Sequence, residues 1–154
     1  MPSRSVTHAT IVAERTYPAS VGRVFAAWAD PETHGRWNSP GEGWAEVERV
    51  HEFRVGGRQY SRFGPPGQPV HHSEGWFADI VPNARIVSSG AMYCQGERTS
   101  VTLCTVELLP VDTGTQVIVT DQSVFIGDGD HVAQRKEGWQ VILAKLERVL
   151  SLHS

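Results

Sequence analysis

The sequence predicts an α+β fold in which a curved, seven-stranded antiparallel sheet wraps around one long C-terminal helix. Three observations predict it. A β-rich segment opens the chain, short strand-like segments separated by turn residues fill residues 44–125, and an amphipathic segment follows residue 130. The turns are too short to contain crossover helices, so consecutive strands are expected to pair antiparallel.

The first three elements are a strand and two short helices. Residues 7–17 are rich in β-branched side chains and are predicted to form the strand. Ser20 is a candidate N-cap for the first helix. Its apolar positions recur with helical spacing at Val21, Val24, Phe25 and Trp28. Asp30, followed by a proline at the first helical position, predicts a second helix that ends near Trp37. These two helices can close one end of the sheet.

Six more strands and a helix complete the fold. The strands are expected near residues 44–53, 58–63, 70–80, 84–93, 99–109 and 115–125. Asp130 is the expected N-cap of the final helix. Its apolar stripe comprises Trp139, Ile142, Leu143, Leu146 and Leu150. Only the concave face of the sheet offers a large apolar surface for this stripe, which gives the helix-grip order β-α-α-β6-α. Because the sheet curves away from the helix, we expect a cavity between them.

Composition limits the classes of partner. The 154 residues suit a single domain over 1–154 with a core of about 7–152. A net charge of -3, with no basic cluster, argues against nucleic acid or an anionic membrane. No apolar run is long enough to span a bilayer, and the N-terminus lacks a signal segment. The two cysteines do not form a disulfide framework, which favours the reducing cytoplasm.

No metal or cofactor is predicted. The histidines have no metal-ligand spacing, and the neighbours His71 and His72 point to opposite faces of a strand, so they cannot chelate one ion together. The sequence contains no phosphate-binding loop, dinucleotide fingerprint or nucleophile elbow.

Two weak catalytic candidates remain. His71 is expected on the inner face with Ser73 and Phe77, where it is either a general base or ligand contact, or simply a partly exposed strand histidine. Asp121 has the inward parity of Val119. A carboxylate on an apolar inner face must be paired or carry a proton, so Asp121 is either a functional acid or a solvated residue beyond the end of the sheet.

Other side chains are assigned to the cavity by strand parity or by position where helices meet the sheet. Cys104 has no base or cation nearby in the sequence, so it is interpreted as a small buried residue. Arg58, Tyr60 and Arg62 either clamp an anionic ligand or lie on the outer face, opposite the inner residues of that strand. The complete set of cavity candidates is Trp28, Trp37, Gln59, Ser61, Phe63, His71, Ser73, Phe77, Met92, Thr102, Cys104, Asp121, Trp139 and Leu143.

Short motifs along nearly the whole chain carry a resemblance to a known family. The first group is Tyr17-Pro18-Ala19-Ser20, Val24-Phe25, Trp28, Asp30-Pro31-Glu32 and Trp37. It resembles the START-related proteins, the SRPBCC or birch-pollen-allergen-like superfamily. The second group is Arg54-Val55-Gly56-Gly57-Arg58, Asp79-Ile80-Val81-Pro82 with Arg85-Ile86-Val87, Ser100-Val101-Thr102, Gly114-Thr115, and Gly138-Trp139 with Leu143, Leu146 and Leu150. It is similar to the subfamily related to the C-terminal domain of the activator of the ninety-kilodalton heat-shock chaperone's ATPase.

The resemblance implies several functions. The superfamily includes lipid and hormone binders, polyketide cyclases and antibiotic self-resistance proteins, so the expected function is binding of a small hydrophobic or amphipathic molecule in the cavity. One alternative is a cyclase, dehydratase or hydrolase that moves a proton with His71 or Asp121. Another is a protein-interaction module. The chain has no room for the further N-terminal domain of the chaperone activators, so chaperone activation is not expected. Small domains of this kind commonly form homodimers, although no pattern here predicts an interface.

Overall fold

The computed structural model describes residues 5–128 and 131–152. The elements in chain order are β1 (Val6–Tyr17), α1 (Val21–Ala29), α2 (Pro31–Trp37), β2 (Ala45–His51), β3 (Arg58–Gly64), β4 (His71–Val81), β5 (Arg85–Cys94), β6 (Glu97–Val111), β7 (Gly114–Ile126) and α3 (His131–Ser151). The predicted helix-grip order is confirmed. The N-cap predicted at Asp130 lies outside the described residues.

All seven strands form one antiparallel sheet in the order β1-β7-β6-β5-β4-β3-β2. Consecutive strands from β2 to β7 are neighbours, whereas β1 crosses to the far side and pairs with β7 from Val6↔Ile126 to Tyr17↔Thr115. The first strand thus covers the edge that β7 would otherwise expose. Side chains alternate between the two faces, and on β6 Val106 and Leu108 are buried while Val101 and Leu103 are exposed.

Both predicted helix caps before α3 are present. The Ser20 hydroxyl accepts a hydrogen bond from the backbone N–H of Arg23 at 3.3 Å. The Asp30 carboxylate accepts from the backbone N–H of Thr33 at 2.9 Å and from its hydroxyl at 2.6 Å. These hydrogen bonds lower the pKa of Asp30. Each cap satisfies backbone donors that the first helical turn leaves without a partner, which explains where α1 and α2 begin.

Helix α3 packs its C-terminal half into the core. Leu143, Leu146, Val149 and Leu150 are buried in one cluster with apolar side chains of β1, β6 and β7. The hydroxyl of Tyr17, at the end of β1, donates a hydrogen bond to the carbonyl of Leu143 at 2.8 Å. Burial raises the pKa of Tyr17. This bond attaches the middle of α3 to the end of the first strand. Within the described residues, no helix has both the length and the apolar character needed to cross a bilayer.

Helices α1 and α2 fill one end of the sheet with aromatic side chains. The rings of Trp28 and Trp37 meet edge to face at 4.5 Å, and the indole N–H of Trp37 donates to the carbonyl of Ala27 at 2.9 Å. Phe53 lies 5.6 Å from Phe25 and 5.0 Å from Phe77, measured between ring centroids. We call Phe25, Trp28, Trp37, Phe53 and Phe77 the aromatic plug. The plug occupies this end, and free space lies farther along α3, beside its N-terminal half.

Candidate ligand-binding cavity

A cavity of about 400 Å³ lies between the inner face of the sheet and the N-terminal half of α3. This volume is within the range of small-molecule sites. The lining residues come mainly from β3 to β7 and α3. They are Asn38, Gln59, Ser73, Glu74, Gly75, Ser88, Ser89, Gly90, Ala91, Met92, Thr102, Cys104, Asp121, Arg135, Gly138, Trp139 and Ile142.

Two paired glycines form part of the cavity floor. Gly75 on β4 and Gly90 on β5 are directly opposite each other in the sheet. A Cβ added to Gly75 would lie 2.3 Å from the carbonyl oxygen of Ser89, and one added to Gly90 would lie 2.7 Å from that of Glu74. A side chain at either position would therefore force β4 and β5 apart. The pair leaves bare backbone where side chains would otherwise reach toward α3.

Asp121 is the most buried polar group of the cavity wall. It lies near the middle of β7 and is 1% exposed. Its Oδ2 atom lies 3.0 Å from Nη1 of Arg135 and accepts a hydrogen bond from the Trp139 indole N–H at 2.9 Å. Its Oδ1 atom accepts from the hydroxyl of Ser123. Arg135 and Trp139 are one turn apart on α3, so both reach the same carboxylate.

The two terminal nitrogens of the Arg135 guanidinium both donate hydrogen bonds to side chains of the sheet. Nη1 donates to the hydroxyls of Thr102 at 3.0 Å and Ser123 at 3.1 Å, and Nη2 donates to the hydroxyl of Ser100 at 2.9 Å. The guanidinium carbon lies 5.0 Å from the centroid of the Phe125 ring. We call Ser100, Thr102, Asp121, Ser123, Arg135 and Trp139 the carboxylate cluster. The carboxylate cluster thus puts one hydrogen-bonded ion pair into the wall of a cavity whose exposed surface is otherwise mostly apolar.

Cys104 lies on β6 beside the carboxylate cluster and lines the cavity. Burial, together with the negative charge of Asp121, raises the pKa of the thiol to about 12. A thiol with this pKa stays protonated at neutral pH and is a poor nucleophile. Cys104 is therefore a half-buried, protonated side chain of the cavity wall, rather than the fully buried residue that was expected.

A second polar cluster surrounds Asn38, a cavity-lining residue in the connection between α2 and β2. His34 is 5% exposed, and its Nδ1 accepts a hydrogen bond from Arg49, an obligate donor. The other ring nitrogen, Nε2, lies 3.1 Å from Nδ2 of the Asn38 side chain. Arg49 also pairs with Glu46 at 2.9 Å. The His34 ring stacks on that of His51 at 4.3 Å.

Both histidines of this cluster favour the neutral form. Burial lowers the pKa of His34 well below its usual value, and the electrostatic effects of His51 and Arg49 lower it further. Burial also lowers the pKa of His51, whose Nε2 lies 3.0 Å from the carbonyl of Trp28. Because both rings are uncharged, they can stack on each other without charge repulsion.

The structure brings together some of the residues that the sequence assigned to the cavity. Those that line it are Gln59, Ser73, Met92, Thr102, Cys104, Asp121 and Trp139. Asp121 does not lie beyond the end of the sheet, since its backbone pairs with Ile11 of β1 on one side and with Cys104 of β6 on the other. Its side chain is not solvated, because the residue is 1% exposed.

The other predicted cavity residues lie elsewhere. Trp28, Trp37 and Phe77 are in the aromatic plug, and Leu143 is buried in the core below the cavity. These side chains are buried, but they pack into the core instead of facing free space.

The segment that contains Trp44 and Glu46 covers three more predicted cavity residues, which are Ser61, Phe63 and His71. The hydroxyl of Ser61 donates to Glu46 at 2.5 Å. The ring of His71 stacks on Trp44 at 4.9 Å and on Phe63 at 5.5 Å. None of the three lines the cavity, because Glu46 and Trp44 lie over this end of β3 and β4. Arg58, by contrast, pairs with Glu74 at 3.3 Å and lies over the Tyr60 ring, as an outer-face residue would.

Sequence reasoning did not identify Arg135, Ser123, Asn38, Ser88 or Ile142 as site residues. One usable signal was present. Arg135, Trp139 and Ile142 have the spacing i, i+4, i+7, which puts an arginine on the sheet-facing stripe of α3. A buried aspartate requires a cation, and this arginine is the one that the stripe offers.

Residues 5–128 and 131–152 contain no group of three or more His, Cys, Asp or Glu side chains arranged to hold a metal ion. The candidate site is thus built from side chains and bare backbone of the sheet together with one face of α3.

A seven-stranded antiparallel sheet that grips a C-terminal helix, with a cavity between them, defines the helix-grip class of the SRPBCC superfamily. The family model described as activator of Hsp90 ATPase homolog 1-like protein matches residues 18–151, so the chain belongs to that family.

Solved structures agree with this assignment. The chain is similar to the Mll3558 protein from Rhizobium loti, with 41% identity, a TM-score of 0.88, and coverage of 96% of this chain and 100% of that one. It is also similar to an uncharacterised protein from Rhizobium leguminosarum, with 31% identity, a TM-score of 0.86, and coverage of 96% and 97%. DynU16, a protein in the dynemicin biosynthetic locus, shares the fold at 20% identity and a TM-score of 0.69, over 92% of this chain and 47% of that one. No curated protein matches the sequence.

Proposed function

We propose that this protein binds a small hydrophobic or amphipathic molecule in the cavity between the curved sheet and α3. One observation carries the proposal: about 400 Å³ of free space lies between the bare backbone at Gly75 and Gly90 and the side chains of Trp139 and Ile142 on α3. A solid core would fill this space with side chains. Here the sequence places glycines and small polar residues on the floor instead.

The polar groups of the cavity support binding rather than proton transfer. Asp121 already accepts hydrogen bonds from Arg135, Trp139 and Ser123, so it is held as an ion-pair partner and not as a free base. Cys104 stays protonated because burial raises its pKa to about 12. His71 is stacked under Trp44, away from the cavity lining. A cyclase, dehydratase or hydrolase would need a free acid or base in this space.

The test fills the cavity with a side chain. Ser88 lines the cavity on β5, whereas its neighbour Val87 points to the opposite face of the sheet. We expect Ser88→Phe to weaken binding of Nile red, an uncharged apolar dye, by at least about tenfold. Val87→Phe adds a ring on the outer face and should bind the dye as the wild type does. Circular dichroism would check that both variants fold.

Equal dye affinity in the wild type and in folded Ser88→Phe would overturn the proposal. So would a wild-type protein that does not bind the dye at all. Native mass spectrometry of protein purified without denaturation adds a second readout, because a retained molecule should be present in the wild type and lost in Ser88→Phe.

A further inference from the structure

The charged groups that line the cavity are paired with one another or with a neighbouring side chain. The lining contains three such residues, Glu74, Asp121 and Arg135. Asp121 and Arg135 form an ion pair, with the carboxylate 1% exposed and the arginine side chain 19% exposed. Glu74 contributes to the lining, but its carboxylate lies on the outer face of the sheet, where it pairs with Arg58 at 3.3 Å. Among the residues that the structure describes, the lining therefore carries no unpaired charge for a ligand to neutralise.

An anionic ligand would have to compete with the protein for Arg135. Nη1 of this arginine is shared by Asp121 and two hydroxyls, and Nη2 donates to Ser100. If a ligand carboxylate took the Nη1 donor, the buried Asp121 would lose its closest contact with its counter-ion. An unpaired buried carboxylate is strongly unfavourable.

A cationic ligand meets the opposite difficulty. The Asp121 oxygens already accept from Arg135, Trp139 and Ser123, and a second cation at this carboxylate would lie beside the guanidinium. The cavity contains the uncharged polar groups of Gln59 and Ser73 in addition, and these can donate to or accept from a neutral ligand.

We infer that the cavity selects an uncharged amphipathic molecule, with an apolar body and hydroxyl or carbonyl groups, and rejects carboxylates and amines of the same size. This inference rests on the proposed function, because it names the class of ligand for the same cavity. The ion pair acts as a specificity element: it supplies polarity without supplying net charge.

The experiment compares four ligands with one ten-carbon chain: decanol, decanamide, decanoate and decylamine. Each displaces Nile red from the wild-type protein at pH 7.5. We expect decanol and decanamide to bind at least about tenfold more tightly than decanoate and decylamine. Decanoate or decylamine binding as tightly as decanol would overturn the inference.

Asp121→Asn then changes the charge without changing the shape. The variant leaves Arg135 without a counter-ion, and the hydroxyl of Ser123 can accept from the new amide. We expect decanoate affinity to rise by at least about tenfold relative to the wild type. The control is Glu147→Gln, which removes a negative charge from the Arg15–Glu147 pair outside the cavity. It should leave the ligand order unchanged, and an equal gain in decanoate affinity in this control would contradict the assignment to Asp121.

The outcomes separate the two proposals. If Ser88→Phe abolishes binding of all four ligands but the wild type does not discriminate among them, the cavity binds ligands and the charge selectivity is wrong. If no decyl ligand and no dye binds the wild-type protein, both proposals are wrong. The wild-type comparison holds even if Asp121→Asn fails to fold.

Discussion

Arg135 and Asp121 form an ion pair, with Nη1 and Oδ2 3.0 Å apart, that joins the first turns of α3 to the middle of β7. The carboxylate is 1% exposed, so water does not take over the role of the arginine. The C-terminal half of α3 is held by apolar packing, and its N-terminal half is held by this pair. The cavity lies beside the half that the ion pair holds.

Removing the Arg135 side chain should therefore lower the stability of the folded protein. We expect Arg135→Met to lower the free energy of unfolding by about 3–5 kcal/mol, because it leaves Asp121 buried without a cation. The matched control is Arg15→Met, which breaks the more exposed pair with Glu147 and should cost less than about 1 kcal/mol. Urea unfolding followed by tryptophan fluorescence measures both. Similar losses in the two variants would show that the Arg135–Asp121 pair contributes no more than a surface pair.

The hydrogen bond from Tyr17 to α3 should contribute separately to the free energy of unfolding. Tyr17 is fully buried and donates to the carbonyl of Leu143 at 2.8 Å. Tyr17→Phe keeps the ring and removes the donor, so we expect a loss of about 1–2 kcal/mol in the free energy of unfolding. Tyr60→Phe, on the outer face, should change it by less than about 0.5 kcal/mol. A Tyr17→Phe variant as stable as the wild type would show that this bond does not help to hold α3.

Acid should destabilise the protein through His34 and His51. Both have a pKa below the usual value of about 6.5 in the folded chain, so the unfolded chain binds protons that the folded chain does not. The stabilising contribution is fully present above about pH 6.5 and is lost as the pH falls below it. Each histidine adds a slope of up to about 1.4 kcal/mol per pH unit.

Urea unfolding at several pH values between 8 and 5 measures this slope. His34→Gln keeps an acceptor for Arg49 and removes the titration, so the slope should become shallower. His8→Gln, at an exposed position on β1, should keep the wild-type slope. An unchanged slope in His34→Gln would contradict the assignment.

Cys104 should resist alkylation in the folded protein. Burial and the charge of Asp121 raise its pKa to about 12, so its thiolate fraction at pH 8 is about a thousandfold below that of a free cysteine. In a Cys94→Ser variant, Cys104 is the only thiol. We expect iodoacetamide to label it only after unfolding in urea, as measured by mass spectrometry. Rapid labelling of the folded variant would show that the thiol is accessible and ionised.

The element order could be predicted from the sequence because each element carries a local signal. The Ser20 and Asp30 caps, the turn residues between strands and the periodic stripe of α3 are all local. The inward parity of Asp121 followed from the alternation of β7 in the same way.

The shape of the cavity could not be predicted, because it depends on contacts between distant segments. The pairing of Gly75 with Gly90 follows from the register of β4 and β5. His71 is excluded from the cavity because Trp44 stacks on it. The other end of the sheet is filled because Trp28 and Trp37 pack against each other there. Inward parity alone does not distinguish a cavity residue from a core residue.

The most direct test of the central claim is a nitrogen–proton NMR titration of the wild-type protein with decanol. If decanol binds in the cavity, shift changes should concentrate on the indole N–H of Trp139 and the backbone N–H groups of Gly75 and Gly90. Shift changes confined to the outer face, at Val101 and Leu103, or no changes at saturating decanol, would contradict it.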